Sequence, residues 1–245
     1  MTQTWIILGA TSSIARAFAR QVASLGHGVI LAGRDMPDLQ SMAQDCALRG
    51  APYTATEAFD ARKPLLFDGI VERLSGIEGQ INAAVFVGSM PSQDQIDADP
   101  GLIKGMIADN FSGPAEFLQR LAPLLEQRGS GTIVGIGSVA GDRGRLGNYV
   151  YGAAKAGFHT YLSGLRNRLA RSGAHVMTVK PGMVDTAMTW GLDGLVLVVP
   201  PEKIATDIMA GLKRQRNTVY SPGIWGLIML IIRTIPEPIF KKLSI

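Results

Sequence analysis

Short apolar runs alternate with segments of helical periodicity along most of the chain. Six runs have the apolar or alternating pattern of strands: residues 5–8, 29–32, 53–59, 81–87, 132–136 and 175–179. Between them, apolar residues recur at helical spacing over residues 14–25, 39–48, 65–74, 103–125 (one long helix or two) and 149–170. This alternation predicts an α/β fold with one doubly wound parallel sheet and helices on both faces. We expect a single domain over residues 1–245, because neither a linker nor an internal repeat interrupts the pattern.

Residues that directly follow the strands are the candidate ligand contacts, because such sheets bind ligands beyond the carboxyl ends of their strands. The first strand is followed by Gly9, Thr11, Ser12, Ser13 and Ile14. A glycine permits a sharp turn, and small residues let backbone N–H groups approach a pyrophosphate at a helix N-terminus. The alternative is an ordinary strand-to-helix turn capped by Ser12 or Ser13.

The end of the second strand bears on the choice of nucleotide. Sites for NAD(H) place an acidic residue there, on the ribose 2′-hydroxyl, whereas sites for a 2′-phosphate have an Arg nearby. Here Gly33 occupies the position of the acid and Arg34 follows it. This favours NADP(H) over NAD(H) as the cofactor. The alternative is a surface Arg34 paired with Asp35.

The segment after the fifth strand contains the most informative group of side chains. Ser138 follows that strand, and Tyr151 and Lys155 lie four residues apart on the next predicted helix. Residues at this spacing share a helix face, so the phenol and the ammonium point into one cleft. A nearby ammonium is expected to lower the pKa of the phenol, which suits Tyr151 to acid–base chemistry. Tyr149, six residues from Lys155, does not share this geometry well.

A Tyr and a Lys four residues apart are by themselves more often structural. Together with the glycine turn and the strand order, they resemble the short-chain dehydrogenases/reductases over nearly the whole chain. The resemblance is carried by the turn at 9–16, Asp60, Asn82-Ala83-Ala84, Asn110, Ser138, Tyr151, Lys155 and Pro181-Gly182. Ser13 and Ala15 replace glycines of that family, and Ala84 replaces the glycine that ends its motif.

The resemblance implies a Rossmann fold and hydride transfer between a nicotinamide and a carbonyl or secondary alcohol. It implies that Tyr151 donates a proton to the carbonyl oxygen, that Ser138 hydrogen-bonds this oxygen, and that Lys155 binds the nicotinamide ribose and lowers the pKa of Tyr151. Asn110 would hold a water in the proton relay, unless it is merely a satisfied helix asparagine.

The resemblance also implies three groups of cofactor contacts besides the turn. The adenine would be contacted by Asp60 and Ala61, the adenosine side by Asn82, Ala83 and Ala84, and the nicotinamide by Pro181, Gly182, Val184 and Thr186. The alternative for Asp60 is an N-cap before Pro64. The resemblance further implies a homodimer or homotetramer formed through the long helices that carry Asn110 and Tyr151.

Beyond Pro181 the pattern is less informative. Residues 183–199 are rich in Met, Leu and Val and are either a cover over an apolar substrate or ordinary core. Family members commonly end soon after the last strand, but this chain continues with an apolar C-terminal extension, residues 221–245, that has flanking cations. The extension is suited to a membrane interface, to a partner subunit or to covering the substrate pocket.

A narrower resemblance concerns the substrate. The extension and the Ser138–Arg143 segment are similar to decaprenylphosphoryl-keto-sugar reductases of actinobacterial cell-wall synthesis. That similarity implies a 2-keto sugar on a polyprenyl phosphate. The more general expectation is a small-molecule or lipid-linked carbonyl substrate.

Composition narrows the possible kinds of site, cellular setting and partner. One cysteine, Cys46, and three scattered histidines, His27, His159 and His175, indicate no metal site and a reducing, cytoplasmic setting. The start of the chain lacks the pattern of a signal peptide, and the longest apolar stretch, 223–232, is about half of a membrane span. A net charge of +4 is compatible with anionic ligands or a membrane surface, and no nucleic-acid partner is expected.

Three other functions compete with the reductase. A non-catalytic dinucleotide sensor or scaffold would not need both Tyr151 and Lys155. A sugar epimerase or dehydratase usually has a longer chain with a separate substrate domain. A P-loop nucleotide hydrolase is disfavoured, because no Gly-Lys-Ser/Thr turn occurs in the sequence.

Overall fold

The fold is built on one parallel sheet of seven strands. The structure, a computed structural model, describes residues 3–190 and 196–243. The strands lie in the order β3-β2-β1-β4-β5-β6-β7, and every neighbouring pair is parallel. They are β1 (Gln3–Leu8), β2 (Gly28–Gly33), β3 (Thr54–Ala58), β4 (Gln80–Val85), β5 (Thr132–Ile136), β6 (His175–Pro181) and β7 (Thr218–Ser221).

Helices cover both faces of this sheet. They are α1 (Ser13–Ser24), α2 (Met36–Leu48), α3 (Phe67–Ser75), α4 (Gln93–Ala98), α5 (Leu102–Ile107), α6 (Gly113–Arg128), α7 (Tyr149–Leu169), α8 (Pro201–Lys213), α9 (Ile224–Thr234) and α10 (Glu237–Phe240). Apolar side chains of α1, α2 and α8 form the core on one face, and those of α3, α6 and α7 form it on the other. The predicted doubly wound α/β fold is confirmed.

The predicted elements are found with shifted ends, and the structure adds β7 and the helices α4, α8, α9 and α10. All six predicted strands occur in the sheet, and β7 joins it beside β6. Helix α8 was not predicted, although Ile204, Ala205 and Ile208 have helical spacing and are buried on the core. Residues 191–195 of the predicted substrate-covering region 183–199 lie outside the described residues.

The order of the strands determines where a ligand can bind. From β1 the chain builds β2 and β3 on one side, then crosses over to β4 and continues outward on the other. The carboxyl ends of β1 and β4 therefore flank the point at which the direction of winding reverses. Ligands of open α/β sheets bind at this crevice.

The predicted helix over residues 103–125 is continuous but not uniform. Residues 108–112 form a π-helical turn between α5 and α6, and Pro114 is tolerated because it lies in the first turn of α6. Asn110 lies in the middle of the π-helical turn and is buried. Isolated π-helical turns are frequent at functional sites.

Candidate active site

A cavity of about 400 Å³ opens at the carboxyl ends of the central strands. It brings together side chains that are far apart in the sequence but follow β1, β4, β5 and β6. Its lining includes three of the four predicted catalytic residues, Ser138, Tyr151 and Lys155, but not Asn110. It also includes residues of the predicted pyrophosphate turn and of the predicted nicotinamide side: Thr11, Ser12, Ser13, Ile14, Pro181, Gly182, Val184 and Thr186. A second groove beside it is lined by Gly9, Arg34, Asp60 and Ala61.

The turn after β1 is built to present backbone at the N-terminus of α1. Gly9 has a positive φ of 70°, which favours glycine, and the N–H groups of Gly9 and Ala10 donate to the Ala32 carbonyl. Ser12 caps α1, because its Oγ accepts from the Ala15 N–H at 3.4 Å. The turn is thus both a capped helix start and a wall of the cavity, so the capping alternative and the ligand site coexist.

Arg34 lies at the end of β2, where the second groove opens. Asp35 caps α2 by accepting from the Asp38 N–H at 3.1 Å, and no described residue forms a salt bridge with Arg34. The alternative pairing of Arg34 with Asp35 is therefore absent from the described part of the chain. Arg34 is exposed and borders both this groove and a shallower depression beside Thr11.

Asp60 and Ala61 form the far side of the second groove. The Asp60 carboxylate accepts from the Arg62 N–H at 3.0 Å, which orders the loop after β3. Lys63, and not Asp60, is the residue before the short helical turn that begins at Pro64, so the predicted N-cap alternative is wrong. Asp109 adds a second acid to this groove and forms a bidentate pair with Arg62 at 2.7 and 2.8 Å.

The predicted placement of Asn82, Ala83 and Ala84 after the fourth strand is wrong. All three lie inside β4, where they pair with β1 and β5. Asn82 is fully buried near the start of the strand and exchanges hydrogen bonds with Gln80 and Gln3.

The carboxyl end of β4 is instead followed by Phe86, Val87 and Gly88, which line both the cavity and the second groove, and by Ser89, which lines the second groove. The Asn-Ala-Ala sequence resembles the family motif in residue type, but it lies within the strand and not at its end. Gly88 lies after the strand and is the glycine that marks the true position of the turn.

Ser138, Tyr151 and Lys155 meet at the end of β5. Ser138 has extended backbone, and its Oγ accepts from the Ala140 N–H at 3.1 Å at the start of a short helical turn. Lys155 is buried, and its Nζ donates to the Ile136 carbonyl at 3.0 Å. The Tyr151 ring packs in an apolar cluster that includes Ala140 and Met106. Both α7 side chains therefore have fixed positions on one face of the helix.

Burial changes the protonation of both α7 side chains. It raises the pKa of Tyr151 to about 12, although the adjacent Ser138 side chain acts in the opposite direction. It lowers the pKa of Lys155 to about 8. The expected lowering of the Tyr151 pKa by Lys155 is therefore wrong for this structure, because loss of hydration dominates. A phenol with this pKa keeps its proton at neutral pH and can donate it.

The side-chain amide of Asn110 is hydrogen-bonded through its nitrogen but not through its oxygen. Its Nδ2 donates to the Ser89 carbonyl at 2.7 Å and to the Met106 carbonyl at 3.0 Å. Its Oδ1 is buried and has no hydrogen-bond partner. The interpretation as a fully satisfied helix asparagine is therefore wrong, because a buried acceptor remains free to bind a donor such as water.

His159 is a functional neighbour that the sequence did not indicate beyond a packing role. Its Nε2 accepts from the Ser138 N–H at 3.3 Å, and its Nδ1 lies 3.7 Å from Asp142 Oδ1. Burial and the Lys180 charge lower the pKa of His159 to about 3, so the ring is neutral and can accept at Nε2. His159 thereby fixes the backbone that carries Ser138.

The C-terminal extension packs behind the cavity wall on the β6 side. Trp225 of α9 packs against Gly182, and Trp225, Met229 and Val139 form a small buried cluster. The opposite face of α9 is apolar and more than half exposed at Ile224, Leu227, Leu230 and Ile231. Within residues 3–190 and 196–243, no helix combines the length and apolarity needed to cross a bilayer.

Comparison with known proteins identifies the family. Residues 3–193 match the model of the short chain dehydrogenase family. An uncharacterized oxidoreductase of Mycobacterium tuberculosis strain H37Rv is 29% identical over 97% of this chain and 96% of its own length. Sulfoacetaldehyde reductase 2 of Chromohalobacter salexigens is 33% identical over 77% of this chain and 75% of its own length.

A solved structure shares the fold. The short-chain dehydrogenase from Sphingobium yanoikuyae in complex with NADPH has a TM-score of 0.82 and 24% identity, and the alignment covers 97% of each chain. The family match spans β1 to β6 and includes the Ser138, Tyr151 and Lys155 positions. This chain therefore belongs to the short-chain dehydrogenase/reductase family and is an NAD(P)-dependent oxidoreductase.

Proposed function

We propose that the protein reduces a carbonyl compound, or oxidises the corresponding secondary alcohol, with Tyr151 as the proton donor. The observation that carries this proposal is that Ser138, Tyr151 and Lys155 line one cavity at the reversal point of the sheet, and that the buried Oδ1 of Asn110 lies behind Gly88 of its wall. A bound nicotinamide dinucleotide supplies or accepts the hydride. The chain's own residues position the carbonyl and move the proton.

Each catalytic side chain has one role in this proposal. Tyr151 keeps its proton at neutral pH, because burial raises its pKa to about 12, and it releases that proton as negative charge develops on the carbonyl oxygen. Ser138 donates a hydrogen bond to the same oxygen. Lys155 binds ribose hydroxyls, and the free Oδ1 of Asn110 holds a water that returns a proton toward Tyr151.

The residues around the two cavities fit a dinucleotide. The backbone of the turn at Gly9, Thr11, Ser12, Ser13 and Ile14 would hold the pyrophosphate at the N-terminus of α1. Asp60 and Ala61 would border the adenine, and Pro181, Gly182, Val184 and Thr186 the nicotinamide. The unpartnered Oδ1 of Asn110 supports this fit, because it is a buried acceptor directly behind Gly88 of the cavity wall and is free to bind a polar group or a water.

We propose NADP(H) as the preferred form of the cofactor. Arg34 is exposed at the end of β2, borders two depressions beside the turn, and has no salt-bridge partner among the described residues. No acidic residue occupies the position of Gly33. An Arg in this place complements a 2′-phosphate, whereas an acid would repel it.

For the substrate, a keto sugar on a lipid phosphate remains the proposal that best accounts for the C-terminal extension. Methionine side chains at 90, 183 and 188 line the cavity beside the catalytic group, and α9 packs behind its wall through Trp225 and Met229 while its opposite, apolar face is exposed. Such a surface can accept a lipid chain. The relative named as a sulfoacetaldehyde reductase adds small anionic aldehydes to the set to be assayed.

We propose that the protein acts in the cytoplasm, with α9 at the membrane surface, and assembles as a homodimer or homotetramer through α6 and α7. Arg233, Lys241 and Lys242 are exposed beside the apolar α9 face, as expected for a segment that rests on anionic lipid. Sedimentation with vesicles containing anionic lipid, and light scattering without lipid, would separate membrane contact from self-association.

The experiment that tests the activity follows NADPH absorbance at saturating cofactor. The panel contains water-soluble ketones, sulfoacetaldehyde and lipid-linked 2-keto sugars, each assayed with and without detergent. Turnover of any member that depends on Tyr151 supports a reductase. Good turnover of simple ketones with no gain from lipid-linked sugars would eliminate the lipid substrate, and NADPH binding without any turnover would favour a sensor.

A further inference from the structure

The wall of the catalytic cavity contains a cation that the proposed reaction does not use. Arg145 lies in the loop between β5 and α7 and lines the cavity with Ser138 and Tyr151. Its Nε is buried and has no hydrogen-bond partner. Burial lowers the pKa of its guanidinium, as expected for a cation that has lost hydration. Such a group is costly unless an anion pairs with it.

The nearby carboxylates are already engaged elsewhere. Asp142, in the same loop, accepts from Lys180 at 2.5 Å and from the Tyr220 hydroxyl at 2.6 Å. Asp97 accepts from the Tyr149 hydroxyl at 2.9 Å. No described carboxylate forms a salt bridge with Arg145. Among the described residues, the Arg145 guanidinium is therefore left without a carboxylate partner and is available to an anion that enters the cavity.

The loop that carries Arg145 is held from its outer side by Arg143. The Nη1 of Arg143 donates to the carbonyls of Ile232 and Ile235 at 2.6 Å each, and its guanidinium lies 3.5 Å from the centre of the Phe240 ring. These contacts connect the loop to the end of α9 and to α10. Arg145, two residues further on, is thereby kept at the cavity wall.

A second unsatisfied polar group lies in the same wall. Asn148 lines the cavity, and its Oδ1 is buried without a partner. The surrounding lining is largely apolar, with Met90, Val139 and Met183. A few placed polar groups in an apolar cavity are typical of sites that orient a ligand.

We propose that Arg145 binds an oxoanion of the carbonyl substrate, namely a carboxylate, sulfonate or phosphate, while the carbonyl lies between Ser138 and Tyr151. Asn148 accepts a hydrogen bond from a neighbouring hydroxyl of the same molecule. Arg145 is then a specificity-determining residue that selects anionic over neutral carbonyl compounds. The inference rests on the proposed reductase function.

The test compares matched charged and neutral substrates. The pairs are 4-oxopentanoate with its methyl ester, and dihydroxyacetone phosphate with dihydroxyacetone. Wild type, Arg145→Lys and Arg145→Gln are assayed with NADPH, and Arg214→Gln on the exposed end of α8 is the matched control. We expect Arg145→Gln to reduce the charged-to-neutral ratio of kcat/KM by on the order of 100-fold, mainly through KM, and Arg145→Lys to retain part of it.

Binding without turnover gives a second measurement. Calorimetric titration of 4-oxopentanoate into enzyme saturated with NADP⁺ should detect binding to wild type and Arg214→Gln but not to Arg145→Gln. An unchanged ratio and unchanged binding in Arg145→Gln would overturn the inference while leaving the reductase intact. Absence of turnover with every carbonyl compound, charged or neutral, would instead contradict the proposed function.

Discussion

The Lys155 ammonium lies 5.8 Å from the centre of the Tyr151 ring, one helical turn away on α7. Its hydrogen bond goes to the Ile136 carbonyl and not to the phenol. The two side chains are therefore held separately, one by the end of β5 and the other by its apolar surroundings. Because no charge pair forms between them, burial alone determines the direction in which each pKa moves.

Tyr151→Phe should abolish reduction while leaving NADPH binding intact. The phenyl ring keeps the apolar packing of Tyr151 but has no proton to give, so kcat should fall by about 1,000-fold. Steady-state turnover measures the loss of reduction, and fluorescence titration with NADPH measures cofactor binding. Tyr149→Phe is the matched control, because the Tyr149 hydroxyl bonds to Asp97 at the surface. Full turnover by Tyr151→Phe would eliminate Tyr151 as the acid.

The buried Lys155 predicts a stability that rises with pH. Its pKa is lowered to about 8 in the fold and is about 10.4 in an unfolded chain, so the unfolded state binds more protons between these values. The free-energy cost of burying the protonated Lys155 is therefore fully present below pH 8 and falls as the pH rises and the folded protein loses this proton. We expect this group to add about 1 kcal/mol to the unfolding free energy between pH 8 and 9.

Urea unfolding of wild type and Lys155→Met at pH 7, 8 and 9 tests this expectation. The difference between the two proteins isolates Lys155, since other groups contribute to both. Cys46 acts in the opposite direction from about pH 8.5 upward and the tyrosines from about pH 10 upward, because their pKa values are raised in the fold, but they do so in both proteins. Parallel pH profiles for the two proteins would show that Lys155 is protonated throughout.

The sequence was sufficient for the fold and for the residues that follow β1, β2, β5 and β6, but it was insufficient for the end of β4 and for properties that depend on the side-chain environment. Periodicity located six strands, because buried parallel strands have apolar runs that end at turn residues. It misplaced Asn82 because a motif without its register cannot distinguish the inside of a strand from its end. It could not indicate the roles of His159 or Arg145, because these depend on which partners the folded chain leaves unsatisfied.

Arg34→Asp should reverse the preference between NADPH and NADH. The substitution removes the cation from the proposed 2′-phosphate site and introduces a charge that would repel phosphate but accept from a 2′-hydroxyl. We expect the NADPH-to-NADH ratio of kcat/KM to fall on the order of 100-fold. Arg214→Asp makes the same change of net charge on the exposed end of α8 and should leave the ratio unchanged. An equal effect of both substitutions would indicate long-range electrostatics and not a contact.

Gly182 and Trp225 should show strong energetic coupling, because a Cβ on Gly182 would lie 1.8 Å from Trp225 Nε1. Gly182→Ala should therefore destabilise the protein by about 1–3 kcal/mol through overpacking, and Trp225→Ala by about 3–5 kcal/mol through a cavity. In the double variant the new methyl enters the space that the indole leaves, so the loss should be smaller than the sum by at least about 1 kcal/mol.

The matched control is Gly226→Ala in the first turn of α9, where a Cβ would meet nothing closer than 3.4 Å. That substitution should be neutral or slightly stabilising, since alanine favours helix. Denaturant unfolding of the four proteins measures the coupling. Strict additivity of Gly182→Ala and Trp225→Ala would mean that the two residues do not touch in solution. The extension would then be free of the nicotinamide side of the cavity, and its proposed part in substrate selection would lose its structural basis.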